Sequence, residues 1–170
     1  MAFVYTESRI MPKQSIASIV STTAAVPVGT IVRAKDSALG EAEFIYLPST
    51  ASVTQYNLCT YRWGASTGLA VVVRNAASDN TAMQVAVAQA TGSASTFGWF
   101  MIAGTSPVLK TAVIISANKP VFISATAGRV KALASAGQGI LGIRTGAAAV
   151  SATSTVICTF DRPHLQGQIT

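Results

Sequence analysis

The sequence predicts an all-β protein, an antiparallel β-sandwich or β-barrel (27–164) with an extended N-terminal arm (1–26) and a C-terminal tail (165–170). Two positive signals carry this. Apolar and β-branched residues recur with a period of two, and about nine or ten such short runs are separated by Gly, Pro, Asn, Asp and Ser. There is also a negative one: no long stretch has the 3.6-residue apolar period of an amphipathic helix, and nothing repeats at 20–50 residues.

Val28–Lys35 reads as a strand that stops at Asp36 and Ser37. Ala42–Leu47 is a second, stopped by Pro48. Tyr56–Trp63 alternates, with Tyr56, Leu58, Thr60 and Arg62 on one face and Asn57, Cys59, Tyr61 and Trp63 on the other. Leu69–Arg74 is continuously apolar at its start, as expected of a strand covered on both faces. Asn75–Thr81 is turn-rich. Met83–Ala90 alternates, although its alanines also allow a short helix. Phe97–Ala103 is the most apolar strand, and Trp99 and Phe100 must point to opposite faces of it. Gly104–Pro107 reads as a turn, with Val108–Ile115 as a hairpin partner. Pro120–Thr126, Arg129–Ala134, Ile140–Arg144 and Ser154–Phe160 are the remaining strands. The Gly/Ala/Ser-rich stretch Thr145–Thr153 is of low complexity, and Gln14–Val20 fits either one helical turn or a strand.

Half of the residues are hydrophobic and only 11% are charged, against about a quarter in an ordinary soluble domain. A membrane does not explain the shortfall. The longest apolar runs, such as Leu69–Val73 and Val113–Ile115, are far short of the ~20 residues that span a bilayer. Nor does the N-terminus read as a signal peptide, because Glu7, Arg9, Pro12 and Lys13 interrupt any apolar core. Cover by other protein chains does explain it, since the buried centres of interfaces are poor in charge. The net charge of +6 is spread over twelve scattered Lys and Arg. No basic cluster interleaved with aromatics marks a nucleic-acid site, and an acidic protein surface suits the charge at least as well.

Catalytic chemistry finds few candidates. His164 is the sole histidine, which excludes a His-based metal cluster and leaves an acyl-transfer site without a well-placed base. Glu41 and Glu43 share a strand face, the polar outer face expected of a half-covered strand. Cys59 and Cys158 lie inside strand-like runs and read as buried thiols; a disulfide between them is possible but not required. Gly137-Gln138-Gly139 lacks the Lys-Ser/Thr of a phosphate loop. The expectation is a protein with no enzymatic activity, no cofactor and no metal.

Several short motifs resemble those of a known group. Gly98-Trp99-Phe100-Met101-Ile102-Ala103-Gly104 is followed by Ala125-Thr126-Ala127-Gly128-Arg129-Val130, then Ile140-Leu141-Gly142-Ile143, then Thr159-Phe160-Asp161-Arg162-Pro163-His164. Upstream stands Ala42-Glu43-Phe44-Ile45-Tyr46-Leu47-Pro48. In this order they resemble small structural proteins encoded among the head genes of tailed bacteriophages, the capsid decoration or cement proteins, over about residues 28–164. His164 departs from the pattern, standing where an aromatic is expected. The resemblance implies a virion protein on the outer capsid surface. Its partner would be the major capsid protein, whose subunit junctions it would cement as a homo-oligomer, a trimer by analogy. A tail-fibre or spike receptor-binding module and a minor capsid or collar protein are the alternatives.

The two ends supply the candidate contact residues. Phe3, Tyr5 and Ile10 are the apolar anchors of the arm, and Phe160, Arg162, Pro163 and His164 those of the C-terminal end. Either the arm reaches other chains or it adds a strand to its own sheet.

Overall fold

A computed structural model of the chain describes residues 4–5, 14–64, 68–73, 83–134 and 136–166. Among these it is all-β, as the sequence predicts. Eleven strands are seen: β1 (Val4–Tyr5), β2 (Ile31–Asp36), β3 (Gly40–Ser49), β4 (Leu58–Gly64), β5 (Gly68–Val73), β6 (Gln84–Ala88), β7 (Thr96–Leu109), β8 (Pro120–Ile123), β9 (Val130–Lys131), β10 (Gly139–Thr145) and β11 (Thr155–Leu165). They form one hydrogen-bonded network in the order β1-β2-β3-β5-β4-β6-β7-β11-β10-β8-β9, with β3–β7 and β6–β11 also paired. The strand pairings are antiparallel except for the parallel one between β3 and β5, Ser49 with Val71; the isolated bridges Ile19 with Gly92 and Lys110 with Val130 are parallel too. Of the two architectures the sequence allows, the closed barrel is not the one adopted: the sheet folds over on itself without closing.

Two apolar clusters organise the interior, and successive residues of one strand enter different ones. Phe44 and Tyr46 of β3, Val85 and Val87 of β6, and Trp99 and Met101 of β7 belong to the first, together with Val121, Ile143, Cys158 and Phe160 from β8, β10 and β11. Ile45 and Leu47, Ala86 and Ala88, and Phe100 and Ile102 belong to the second, with Cys59 and Tyr61 of β4. The strands β3, β6 and β7 are therefore covered on both faces over Phe44–Leu47, Val85–Ala88 and Trp99–Ile102, which is why these stretches run apolar instead of alternating. Trp99 and Phe100 point to opposite faces, and both are fully buried inside this one chain.

The strand β7 corrects the sequence reading most. Gly104–Pro107 is not a turn, and Val108–Leu109 do not fold back on Phe97–Ala103. The strand runs straight through. Its first half pairs with β3 (Glu43 opposite Ala103, Ser49 opposite Thr96), and its second half with β11 (Gly104 opposite Phe160, Leu109 opposite Thr155). Gly104 permits this with φ +116°, and a Cβ there would lie 2.8 Å from the Glu41 carbonyl oxygen. Pro48 likewise lies within β3 instead of ending it. The pairing of β3 with β2 stops at Ile45, so at Pro48 the missing N–H costs nothing on that edge.

The chain before β2 packs on the sheet in part. Ile16 enters the first cluster and Ile19 the second. Gln14 ties this segment down: its side-chain amide donates to the carbonyls of Phe97 (2.7 Å) and Ser18 (2.9 Å), and its Oε1 accepts from the Tyr46 hydroxyl (2.7 Å). The Trp99 indole N–H donates to the Gln14 backbone carbonyl (3.2 Å), and the Ala25 N–H donates to the Tyr46 oxygen (3.1 Å). At the other end the last strand, expected to stop at Phe160, continues through Asp161–Leu165.

Truncating Gln14 strands a buried Tyr46 hydroxyl proton and two carbonyls. Gln14→Ala should cost about 2–4 kcal/mol and lower the melting temperature by roughly 5–12 °C. Thermal denaturation followed by circular dichroism checks this, and an unchanged midpoint would show that the segment is held by Ile16 and Ile19 alone.

Candidate interaction surfaces

The outer face of β2, β3 and β11 carries an ion-pair cluster centred on Glu43. Arg33 stands opposite Glu43 across β2 and β3, and its guanidinium donates to Glu43 Oε1 at 2.9 Å. Arg162 donates to Glu43 Oε2 at 2.8 Å. The register sets Glu43 opposite Ala103, and Ala103 opposite Asp161, so only a small side chain intervenes between the carboxylate and β11.

Arg162 reaches Glu43 because β11 is distorted there. Leu141 pairs with His164 and Ile143 with Phe160, leaving Gly142 alone against Asp161–Pro163. Gly142 has φ +75°, and a Cβ on it would meet the Asp161 carbonyl oxygen at 2.6 Å. Arg162 itself has φ +42°, rare for a residue with a side chain. The hydrogen bond from Arg162 is the main influence on Glu43, partial burial opposes it, Arg33 reinforces it, and the carboxyl is held below its ordinary value. Both guanidiniums are solvent-exposed, so screening keeps the stabilisation small.

The candidate residues at the C-terminal end divide between the two faces, and the irregularity at Asp161–Pro163 lets Phe160 and Pro163 share the inner one. Phe160 and Pro163 are buried inward, Phe160 within the first cluster, while Arg162 and His164 are exposed. His164 sits between Leu141 and Gln84, its cross-strand neighbours on β10 and β6. At the N-terminus Tyr5 pairs with Ala34 and Val4 with Lys35, so β1 adds to the chain's own β2 edge. Phe3 and Ile10 lie outside the described residues.

A cleft of about 320 Å³ opens beside the β10–β11 distortion. Ile140, Leu141, Ile143 and Phe160 give it apolar walls, flanked by Arg144 and Asp161. Among the described residues no group of three His, Cys, Asp or Glu could hold a metal ion. Among the described residues no helix is long and apolar enough to cross a membrane. Cys59 and Cys158 are free and buried in different clusters, and burial pushes each thiol up to about 12.

Sequence reasoning missed a set of exposed aliphatic side chains: Val20, Ile114, Leu133 and Val150. A signal exists for Ile114 and Val150. Val113–Ile115 is an apolar run, and Val150 lies in the low-complexity stretch, where no charged residue occupies the neighbouring positions.

Comparison with solved structures then shows what this arrangement is like. The chain is similar in fold to the N base of the head fiber gp8.5 of bacteriophage phi29. The superposition covers 72% of this chain and 97% of that one, with a TM-score of 0.50 and 14% sequence identity. No protein-family model matches the sequence, and no curated protein does.

The titrating groups give two expected outcomes. Because the folded value of Glu43 is depressed, its stabilisation is present above the ordinary carboxylate range and is lost as pH falls through the lowered value. Glu43→Gln should therefore melt below the wild type at pH 7 and at a similar temperature at pH 2, as measured across a pH series. Both thiols should resist a water-soluble maleimide at pH 8 in the native state and react fully in guanidinium; prompt native labelling would contradict their burial.

Proposed function

We propose that this chain is a non-enzymatic structural protein of a tailed-phage virion that binds the outer surface of the capsid and cements junctions between major capsid protein subunits. The fold likeness to a phage head-fiber base, spanning nearly all of that base, carries the reading. It agrees with the scarcity of charge, 11% of residues, expected of a surface largely covered by neighbours. The motif resemblance to decoration proteins points the same way.

Cementing is binding work. A protein that touches two or three shell subunits multiplies weak contacts through effective concentration, and a homotrimer with its arms extended suits a junction of three. Phe3, Tyr5 and Ile10 are the anchors of the arm in this reading, with Val4–Tyr5 lying along the chain's own β2 edge. Arg162 and His164 are the accessible contacts at the other end, since Phe160 and Pro163 are committed to the interior. A second reading, in which the domain is the base of a longer projection, is favoured by the same likeness, because that neighbour is itself described as an N base.

Mixing the protein with undecorated phage heads and imaging them separates these readings. Density over capsomer junctions across the shell supports cementing, density at the foot of a projection supports the base, and bare shells refute both. Deleting residues 1–12 should leave a folded domain, because Gln14, Ile16 and Ile19 carry the packing of the N-terminal segment. The deletion should weaken shell binding by about tenfold or more. Equal affinity in a co-sedimentation titration would remove the arm from the mechanism.

A further inference from the structure

The strand β7 ends at Leu109, β8 starts at Pro120, β10 ends at Thr145 and β11 starts at Thr155. The loops 110–119 and 146–154 therefore emerge at one end of the sheet. Reciprocal backbone hydrogen bonds join Ile115 and Ala149 (2.9 and 2.8 Å), which sets Ile114 beside Val150 in an antiparallel pair. Both point to solvent, Ile114 at 70% and Val150 at 60% exposure, with Val113, Ala147 and Ala148 exposed around them.

This apolar end is fastened by hydrogen bonds from beneath. Lys110 is fully buried beneath it, and its ammonium donates to the carbonyls of Val113 (2.8 Å) and Thr111 (3.2 Å). Arg129 donates to the Lys110 carbonyl (3.0 Å). The Thr145 hydroxyl donates to the Ser116 carbonyl (2.7 Å) and accepts from the Lys119 N–H (2.9 Å). A loop fastened by a buried lysine and a buried threonine, yet presenting isoleucine and valine to water, has the form of a preorganised contact surface.

Its charge identifies the partner. Neither loop contains a carboxylate, and residues 81–160 hold five Lys or Arg and no Asp or Glu. Lys119 and Arg144 are exposed at the base of the loops, Arg144 opposite Pro120. Two copies meeting face to face would bring these cations together. An aliphatic centre without clustered cations or aromatics does not suit nucleic acid. We infer that this loop end docks on a protein surface with an apolar centre rimmed by Asp and Glu carboxylates. Resting on the capsid reading above, this makes it the face turned toward the shell.

Ile114→Asp/Val150→Asp and Lys119→Glu/Arg144→Glu are the two test variants, and Val20→Asp, an exposed change near the far end of β7, is the control. All are checked for folding by circular dichroism. The probe is empty shells of the major capsid protein encoded by the same phage, in co-sedimentation titrations at several salt concentrations. The inference expects binding weakened roughly a hundredfold by the apolar pair. It also expects weaker binding with a flatter salt dependence for the charge pair, and no change for the control. Folded variants that bind as tightly as the wild type overturn the docking face while the capsid reading stands; a wild type that leaves the shells bare overturns both. Loss of self-association in Ile114→Asp/Val150→Asp during sedimentation velocity, with shell binding intact, assigns the face to a second copy and also overturns it.

Discussion

Everything in this domain depends on three strands being buried on both sides. A strand offers its neighbours only two faces, and over Phe44–Leu47, Val85–Ala88 and Trp99–Ile102 the strands β3, β6 and β7 give both of them to the chain's own interior. The demand on sequence is severe, because each position must be apolar or small and neighbouring residues must fit two different cavities. Tyr46, Trp99 and Phe100 supply the bulk, while Ala86 and Ala88 keep the second cluster narrow. Two polar groups deep in this interior, the Tyr46 hydroxyl and the Trp99 indole, are satisfied by turning to Gln14. Gln14 is in this sense the residue that admits the preceding chain to the core without leaving a buried donor unpaired.

Much of this was legible in the residues. Alternation at Tyr56–Trp63 assigned Leu58 to one face and Cys59 and Tyr61 to the other, and the clusters divide them in the same way. The adjacency of Trp99 and Phe100 required two covered faces. Other features were not legible, for physical reasons. Gly104-Thr105-Ser106-Pro107 has the composition of a turn, but a glycine with positive φ serves a bulge as readily, and which occurs is decided by Ala42 and Glu41 packed against it. The segment 14–21 has no local signal for its tertiary hydrogen bonds. The extension of β11 past Phe160 depends on partners distant in sequence, Leu141 and Gln84.

The candidate surfaces show the same division. That Glu43 would be solvated on an outer strand face was readable; that it would be clasped by Arg33 and Arg162 from two other strands was not. The residues of the Arg162-Pro163-His164 element were singled out as a unit, but strand alternation separates them, sending Pro163 inward and leaving its neighbours outside. The exposed Ile114 and Val150 escaped notice because an aliphatic residue in a β protein reads as interior until the topology shows that nothing lies above it.

The uninterrupted course of β7 has a mechanical meaning. The strand is gripped along one half by β3 and along the other by β11, through seven register pairs in each case. Tension applied along it loads the bonds of each ladder together in shear, instead of opening them one after another from an end. Had the chain turned back at Gly104, the two ladders would belong to separate hairpins that could peel apart. As built, a pull that enters through β3 and leaves through β11 passes along one continuous tie, the arrangement by which a small sheet transmits load.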